Sequence, residues 1–259
     1  MKKTIHIVTI TFISFAVYFF LDEEFFRTVR TWIDGFIYQI GISHIIAYSI
    51  FGLPIFMGAI ILHRKHFLQS LGLKGAFFKA FTFALICTLP MFIGFAFAFK
   101  FNTEISLTTI LISIIAAAFF EELYFRGFLF GQVFRYSKLG FIPSVILGSL
   151  LFGIMHLYQS TDIVELLGIF LVTFLGGILF SWVYVEWNYN IWVPVFLHLL
   201  MNLSWELFSV SDNALGGIIS NVCRIGTIIL IIVLTILSKR KREQKFYINR
   251  STVWLKKES

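Results

Sequence analysis

Charge is what this chain has least of. Only 14% of its 259 residues are Asp, Glu, Lys or Arg, against 58% hydrophobic, and the mean hydropathy is +0.87. That composition excludes a water-facing globular domain and points to a polytopic helical membrane protein. Cysteine is scarce too. Cys87 and Cys223 both fall in apolar runs, so they read as small core residues rather than a disulfide or a metal pair. No internal repeat, low-complexity segment or second-domain boundary is visible, so residues 1–259 read as a single transmembrane domain. The paired histidines of a soluble His-Glu-x-x-His zinc helix are missing. A cleavage site is missing as well. Met1-Lys2-Lys3 and the apolar run after it resemble a signal peptide, but the run is long and Phe19-Phe20-Leu21-Asp22 offers no small residues. An uncleaved first span is expected.

What the chain does have is a succession of apolar runs. They predict an all-α fold of about eight transmembrane helices, at 5–21, 36–62, 76–99, 105–134, 141–158, 163–183, 191–210 and 215–237. Residues 22–34 are expected to form a charged loop, and 63–75 an interfacial segment. The second span should be broken or kinked near Gly52 and Pro54.

The few charges are unevenly placed. Net charge is +7, and the tail 238–259 alone holds eight Lys or Arg against Glu243 and Glu258. Such a tail suits anionic lipid at a cytoplasmic surface, and no nucleic-acid partner is expected. With eight spans both termini share one side. Lys2, Lys3, Arg64, Lys65, Lys74, Lys79, Arg135, Lys138 and the tail then lie on that side, against Arg27, Arg30 and Lys100 on the other. The asymmetry predicts cytoplasmic termini in a multi-pass protein of the cell membrane. The short loops and the Ile- and Phe-rich composition suggest a bacterial origin.

The informative residues are the polar ones inside the spans. The fourth carries Phe120-Glu121-Glu122-Leu123-Tyr124-Phe125-Arg126. Ionisable groups at membrane depth are costly and need partners. Glu122 and Arg126 are i and i+4, so they predict a structural ion pair. Glu121 points elsewhere and has no local countercharge. The fifth span ends Phe152-Gly153-Ile154-Met155-His156, and the seventh holds His198-Leu199-Leu200-Met201-Asn202 on one helical face. At 1.5 Å per residue, Glu121 lies roughly 20 Å and His156 roughly 22 Å from their cytoplasmic ends, and His198 and Asn202 roughly 10 to 18 Å along theirs. Three helices thus carry polar groups to overlapping depths. His44 reads as a packing residue, and Arg224 as a partner of Glu206 or a side chain snorkelling outward.

An unpaired carboxylate with two imidazoles and an amide is an inventory for attack of water on an amide carbonyl. The carboxylate serves as general base, one imidazole holds the water, and donors meet the developing oxyanion. The same Glu and His types could instead ligate zinc, with Glu121, His156 and His198 as ligands. A proton-coupled transporter would also use buried Glu and His, but more often with internal repeats or interrupted helices.

Glu121-Glu122-x-x-x-Arg126, Phe152-x-x-x-His156 and His198-x-x-x-Asn202, in that order, resemble the CAAX-protease and bacteriocin-processing (Abi) family of intramembrane proteases. The Ras-converting CAAX endopeptidase belongs to that family. The resemblance covers about 105–210. It implies that Glu121 activates water, that His156 helps hold it, that His198 and Asn202 line the oxyanion site, and that Glu122 and Arg126 fix the helix. The family is called a metalloprotease family, with a metal-free glutamate mechanism as the rival. The expected function is an intramembrane endopeptidase cutting a peptide or membrane-anchored substrate near the cytoplasmic leaflet. The alternative is a non-enzymatic bacteriocin-immunity or scaffold protein on the same fold.

Overall fold

The computed structural model describes residues 2–256, so the last residues of the basic tail, 257–259, lie outside the described residues. The helices are α1 (Lys2–Ile37), α2 (Ile40–Phe51), α3 (Leu53–His63), α4 (Phe77–Ala98), α5 (Leu107–Tyr136), α6 (Phe141–Met155), α7 (Ile163–Glu186), α8 (Trp192–Leu207) and α9 (Ile218–Lys241). Helix α5 has π-type winding over Ile110–Phe130. The expected all-α membrane fold is borne out. Seven helical segments are long and apolar enough to cross a bilayer, with α2 and α3 counted as one. The span expected at 191–210 corresponds to α8, which is not among the seven found in the described residues. Its 16 residues span only about 24 Å at 1.5 Å per residue, less than a hydrocarbon core of about 30 Å.

The first boundary departs from expectation. Residues 22–34 are not a loop: α1 runs unbroken through all 36 of its residues. The stretch holds no glycine or proline, so nothing local ends the helix. It also carries an apolar face of its own, since Phe26, Val29 and Ile33 pack into the main core. Six charges in a short segment suggested solvent, but helical spacing leaves Glu23, Glu24 and Arg27 exposed while the apolar residues turn inward.

The expected break at Gly52 and Pro54 is where α2 passes into α3. It is built around one aromatic residue of α5. The Tyr124 hydroxyl donates to the Tyr48 carbonyl at 2.8 Å. A Cβ at Gly52 would sit 1.9 Å from that hydroxyl oxygen, so close approach is what requires glycine here.

Helix α5 is the central element, touching α1, α2, α3, α6, α7 and α8. Its Leu123, Tyr124 and Phe128 are fully buried. Outward faces stay apolar, with Phe78, Phe97, Ile163 and Ile218 among the exposed side chains, as a lipid-facing surface requires.

The two ends of the bundle differ. At one end Lys138 N–H donates to Thr4, Arg135 to the Gln69 carbonyl, and the tail closes over the helices. Tyr247 and Ile248 N–H groups donate to Glu186, which Lys239 pairs at 3.0 Å. Residues 252–254 bond the backbone of Gly140, Phe141 and Ile142. This end gathers the segments that charge counting assigned to one side. The other end holds the contacts of Gln39 with Thr108, Asn102 with the Glu206 carbonyl, and Gln159 with Ala214.

Gly52→Ala forces Tyr124 out of its place. Overpacking of this kind costs about 1–3 kcal/mol, so the variant should show a lower thermal midpoint in detergent and reduced accumulation. Gly176→Ala, with nothing within 4 Å of its Cβ, should behave as the parent protein.

Candidate active site

The charged residues of α5 divide as their spacing predicts. Glu122 is fully buried, and its Oε1 accepts from Arg126 Nη1 at 3.1 Å. The Arg126 guanidinium also lies over the Phe152 ring, 4.2 Å from its centroid, a cation–π contact that holds it from α6. Glu121 takes no part in this pair. Its Oε2 is buried and has no hydrogen-bond partner, and the residue lines a cavity of about 1080 Å³. A buried carboxylate oxygen without a donor is costly. Glu122 Oε2 is likewise buried and unpartnered, but its other oxygen is held by Arg126, which leaves Glu121 as the carboxylate of the two outside that ion pair.

The site adds a link that spacing within one helix does not reveal. His198 Nδ1 lies 2.8 Å from the same Glu122 Oε1, across from α8. Glu122 thus ties α5 to α8. The carboxylate can only accept, so Nδ1 carries the proton. In a neutral ring Nε2 then presents a lone pair, and it donates only as an imidazolium. His156 follows the same logic. Its Nδ1 lies 2.7 Å from the Phe152 carbonyl, so Nδ1 donates and the Nε2 lone pair is free to accept from water. Asn202 Nδ2 donates to the Ser113 carbonyl at 2.8 Å. One amide hydrogen is spent on α5, and the other remains.

The cavity brings together Glu121, Glu122, Arg126, His156, His198 and Asn202 in one wall. Every site residue expected from the sequence therefore lines the same space. The zinc alternative remains a matter of chemistry, since Nε2 of both His156 and His198 is free while Nδ1 is bonded. Among the described residues, no three His, Cys, Asp or Glu side chains group closely enough to hold an ion. Two of the four imidazole nitrogens are already engaged, with Glu122 and with the Phe152 carbonyl.

Sequence reasoning missed parts of the wall. His44 packs as expected, edge to face with Phe26 and Tyr48, and with Tyr48 it also lines the cavity from α2. Its i, i+4 spacing to Tyr48 was the available signal. Arg224 does not pair with Glu206. It donates to the Asn221 side chain at 3.0 Å and the Ala214 carbonyl at 2.7 Å. The cavity also extends to Tyr158, Gln159 and residues 211–214, at the end away from the two termini. The lining residues Tyr158, Gln159 and 211–214 thus lie at the opposite end of the bundle from the basic end.

Residues 102–204 match the family described as type II CAAX prenyl endopeptidase Rce1-like. A Bacillus subtilis (strain 168) protein named "Putative membrane peptidase YdiL" is 37% identical over 93 residues, which is 36% of this chain and 34% of that protein. The chain thus covers about a third of that relative's length. The resemblance to the CAAX-protease family drawn from the three motifs is borne out over this segment, which contains all of them. Helix α2 and Arg224 lie outside it.

Removing Arg126 would leave Glu122 buried with its main countercharge gone, and breaking such a pair costs about 3–5 kcal/mol. Arg126→Ala should accumulate poorly in membranes. Glu122→Gln combined with Arg126→Met should restore part of the accumulation, read by quantitative immunoblot of membrane fractions. Normal accumulation of Arg126→Ala with complete loss of activity would move Arg126 from structure to chemistry.

Proposed function

We propose that the protein is an intramembrane endopeptidase that hydrolyses a peptide bond with water activated by Glu121. The observation that carries this is the buried, unpartnered Glu121 Oε2 facing a cavity shared with His156, His198 and Asn202. The similarity of 102–204 to membrane peptidases supports it.

Glu121 takes a proton from water held against the His156 Nε2 lone pair. The new hydroxide oxygen bonds the carbonyl carbon, and the carbonyl electrons move to oxygen. The resulting oxyanion accepts from the free Asn202 N–H, and from His198 Nε2–H when that ring is charged. Protonated His198 beside Glu122 balances two carboxylates, Glu121 and Glu122, against two cations, Arg126 and His198. Collapse of the adduct breaks the C–N bond, and Glu121 returns its proton to the leaving amine. The substrate is a peptide or membrane-anchored protein. With the termini in the cytoplasm, the cavity opens to the outer side. That favours leader or signalling propeptides over prenylated cytoplasmic tails.

Glu121→Gln keeps the shape and removes the base, so it should cost at least about 10² to 10⁴-fold in rate with substrate binding nearly intact. His198→Ala and Asn202→Ala should each cost about 10² to 10³-fold, and the double change less than the product of the singles, because both serve one charge. These are read in purified, detergent-solubilised protein against membrane peptides that accumulate in Glu121→Gln cells. Wild-type cleavage by Glu121→Gln would sink the protease reading in favour of the immunity or scaffold role. Activity should persist in chelator. Loss in chelator and recovery with zinc would reassign Glu121, His156 and His198 as metal ligands.

Orientation has its own test. A reporter that works only outside the cytoplasm should be silent after Ser259 and active when inserted at 211–217. The reverse pattern would place the cavity mouth in the cytoplasm.

A further inference from the structure

Arg224 is a buried cation that the reaction leaves without a task. It lies on α9, outside the segment similar to the peptidase family, and is 9% exposed. At 1.5 Å per residue it sits about 9 Å in from the start of α9. Its two recorded hydrogen bonds go to neutral acceptors, the Ala214 carbonyl at 2.7 Å and the Asn221 side chain at 3.0 Å. Its guanidinium lies over the Trp205 ring, 4.8 Å from the centroid. These contacts satisfy N–H groups and leave the charge uncompensated. Among the described residues, no carboxylate lies within 4.0 Å of it. Glu206 and Asp212 share the cavity wall, but neither reaches it.

The surroundings of Arg224 are built. Trp205 is fixed by its own N–H donating to the Ser211 carbonyl at 3.0 Å. The loop turns tightly against that ring at Gly216, where φ is +65° and a Cβ would fall 2.6 Å from the indole. The result is a guanidinium clamped on one side, with N–H groups to spare and the cavity before it. An unbalanced charge in a membrane bundle is expensive unless it faces water or an anion, and such residues mark substrate pathways.

We infer that Arg224, backed by Trp205 and aligned by Asn221 and the Ala214 carbonyl, is an anion subsite near the cavity mouth that takes a carboxylate of the substrate peptide. This rests on the endopeptidase reading for its ligand class. A guanidinium fork suits the two oxygens of a carboxylate. The carboxylate comes either from the peptide's C-terminus or from an acidic side chain.

Binding separates these sources without any turnover. Purified Glu121→Gln protein is offered degenerate nonapeptides of Leu, Ala and Gly in four forms: C-terminal carboxylate or carboxamide, each with one internal Glu or Gln. Bound peptides are quantified by mass spectrometry. Carboxylate-bearing peptides should be enriched about 10- to 100-fold over the neutral form, as one charge-assisted contact implies. The enriched arm identifies the source. Arg224→Met in the same background should erase the enrichment, and Arg224→Lys should keep part of it. Absence of enrichment, or enrichment that survives Arg224→Met, overturns the subsite. Should Arg224→Met fail to accumulate, Arg224→Gln gives the same two readings. Arg224-dependent enrichment by a protein whose wild type cuts nothing would overturn the endopeptidase reading and leave the subsite standing.

Discussion

The structure of this site depends on one buried carboxylate oxygen. Glu122 Oε1 receives both Arg126, from its own helix, and His198, from α8. Taken out of water, a carboxylate needs this much company, and removing either donor would leave charge uncompensated in an apolar setting. The requirement fixes geometry. It sets the rotation of α5, so that Glu121, one residue earlier, cannot share the same donors. It also sets the approach of α8, which brings Asn202 against the Ser113 carbonyl one turn further on. The paired glutamate is therefore the reason the other is unpaired. Two adjacent residues of one type acquire separate tasks because the helix gives them separate surroundings.

The same oxygen governs proton placement. A carboxylate at His198 Nδ1 and a carbonyl at His156 Nδ1 both force the proton onto that nitrogen. Both rings then turn Nε2 to the remaining space, where each is able to bind water. Donation from His198 Nε2 demands a second proton on that ring. A single acceptor thus fixes both the proton on the His198 ring and the approach of α8 to α5.

Much of this was legible in the sequence, for reasons that can be stated. The i, i+4 relation of Glu122 to Arg126 and of His198 to Asn202 is fixed by helix geometry alone. The lack of a local partner for Glu121 follows from the same geometry. Depth matching put three helices in register before any fold was known. Contacts between helices were not legible. His198 and Glu122 are 76 residues apart, and nothing local announces their bond. The unbroken α1 was hidden because six charges in residues 22–34 look like a loop until Phe26, Val29 and Ile33 are seen packed into the core. Arg224 reads from the sequence as a partner of Glu206 or a snorkelling side chain, whereas the loop carbonyl of Ala214, the Asn221 side chain and the Trp205 ring hold it instead. Sequence spacing names which groups are costly to bury, and only packing shows what offsets the cost.

The two ends of the bundle complete the physical argument about access. At the end with the termini, backbone donors of the tail are bound by Glu186, Lys239 neutralises that carboxylate, and residues 252–254 close over the start of α6. Gln132 ties α5 to Ser70 and His63 just beneath. Polar groups there are consumed by one another. At the opposite end α8 is short, α6 gives way after Met155, and the cavity continues past His156 to Gln159 and the loop at 211–214. A short helix leaves thickness unfilled, and in a bilayer irregular backbone is tolerated where it lines a water-filled space. The lining of the cavity therefore runs from Glu121 to the end where irregular backbone borders it. The basic, tied-down end supplies rigidity and orientation instead.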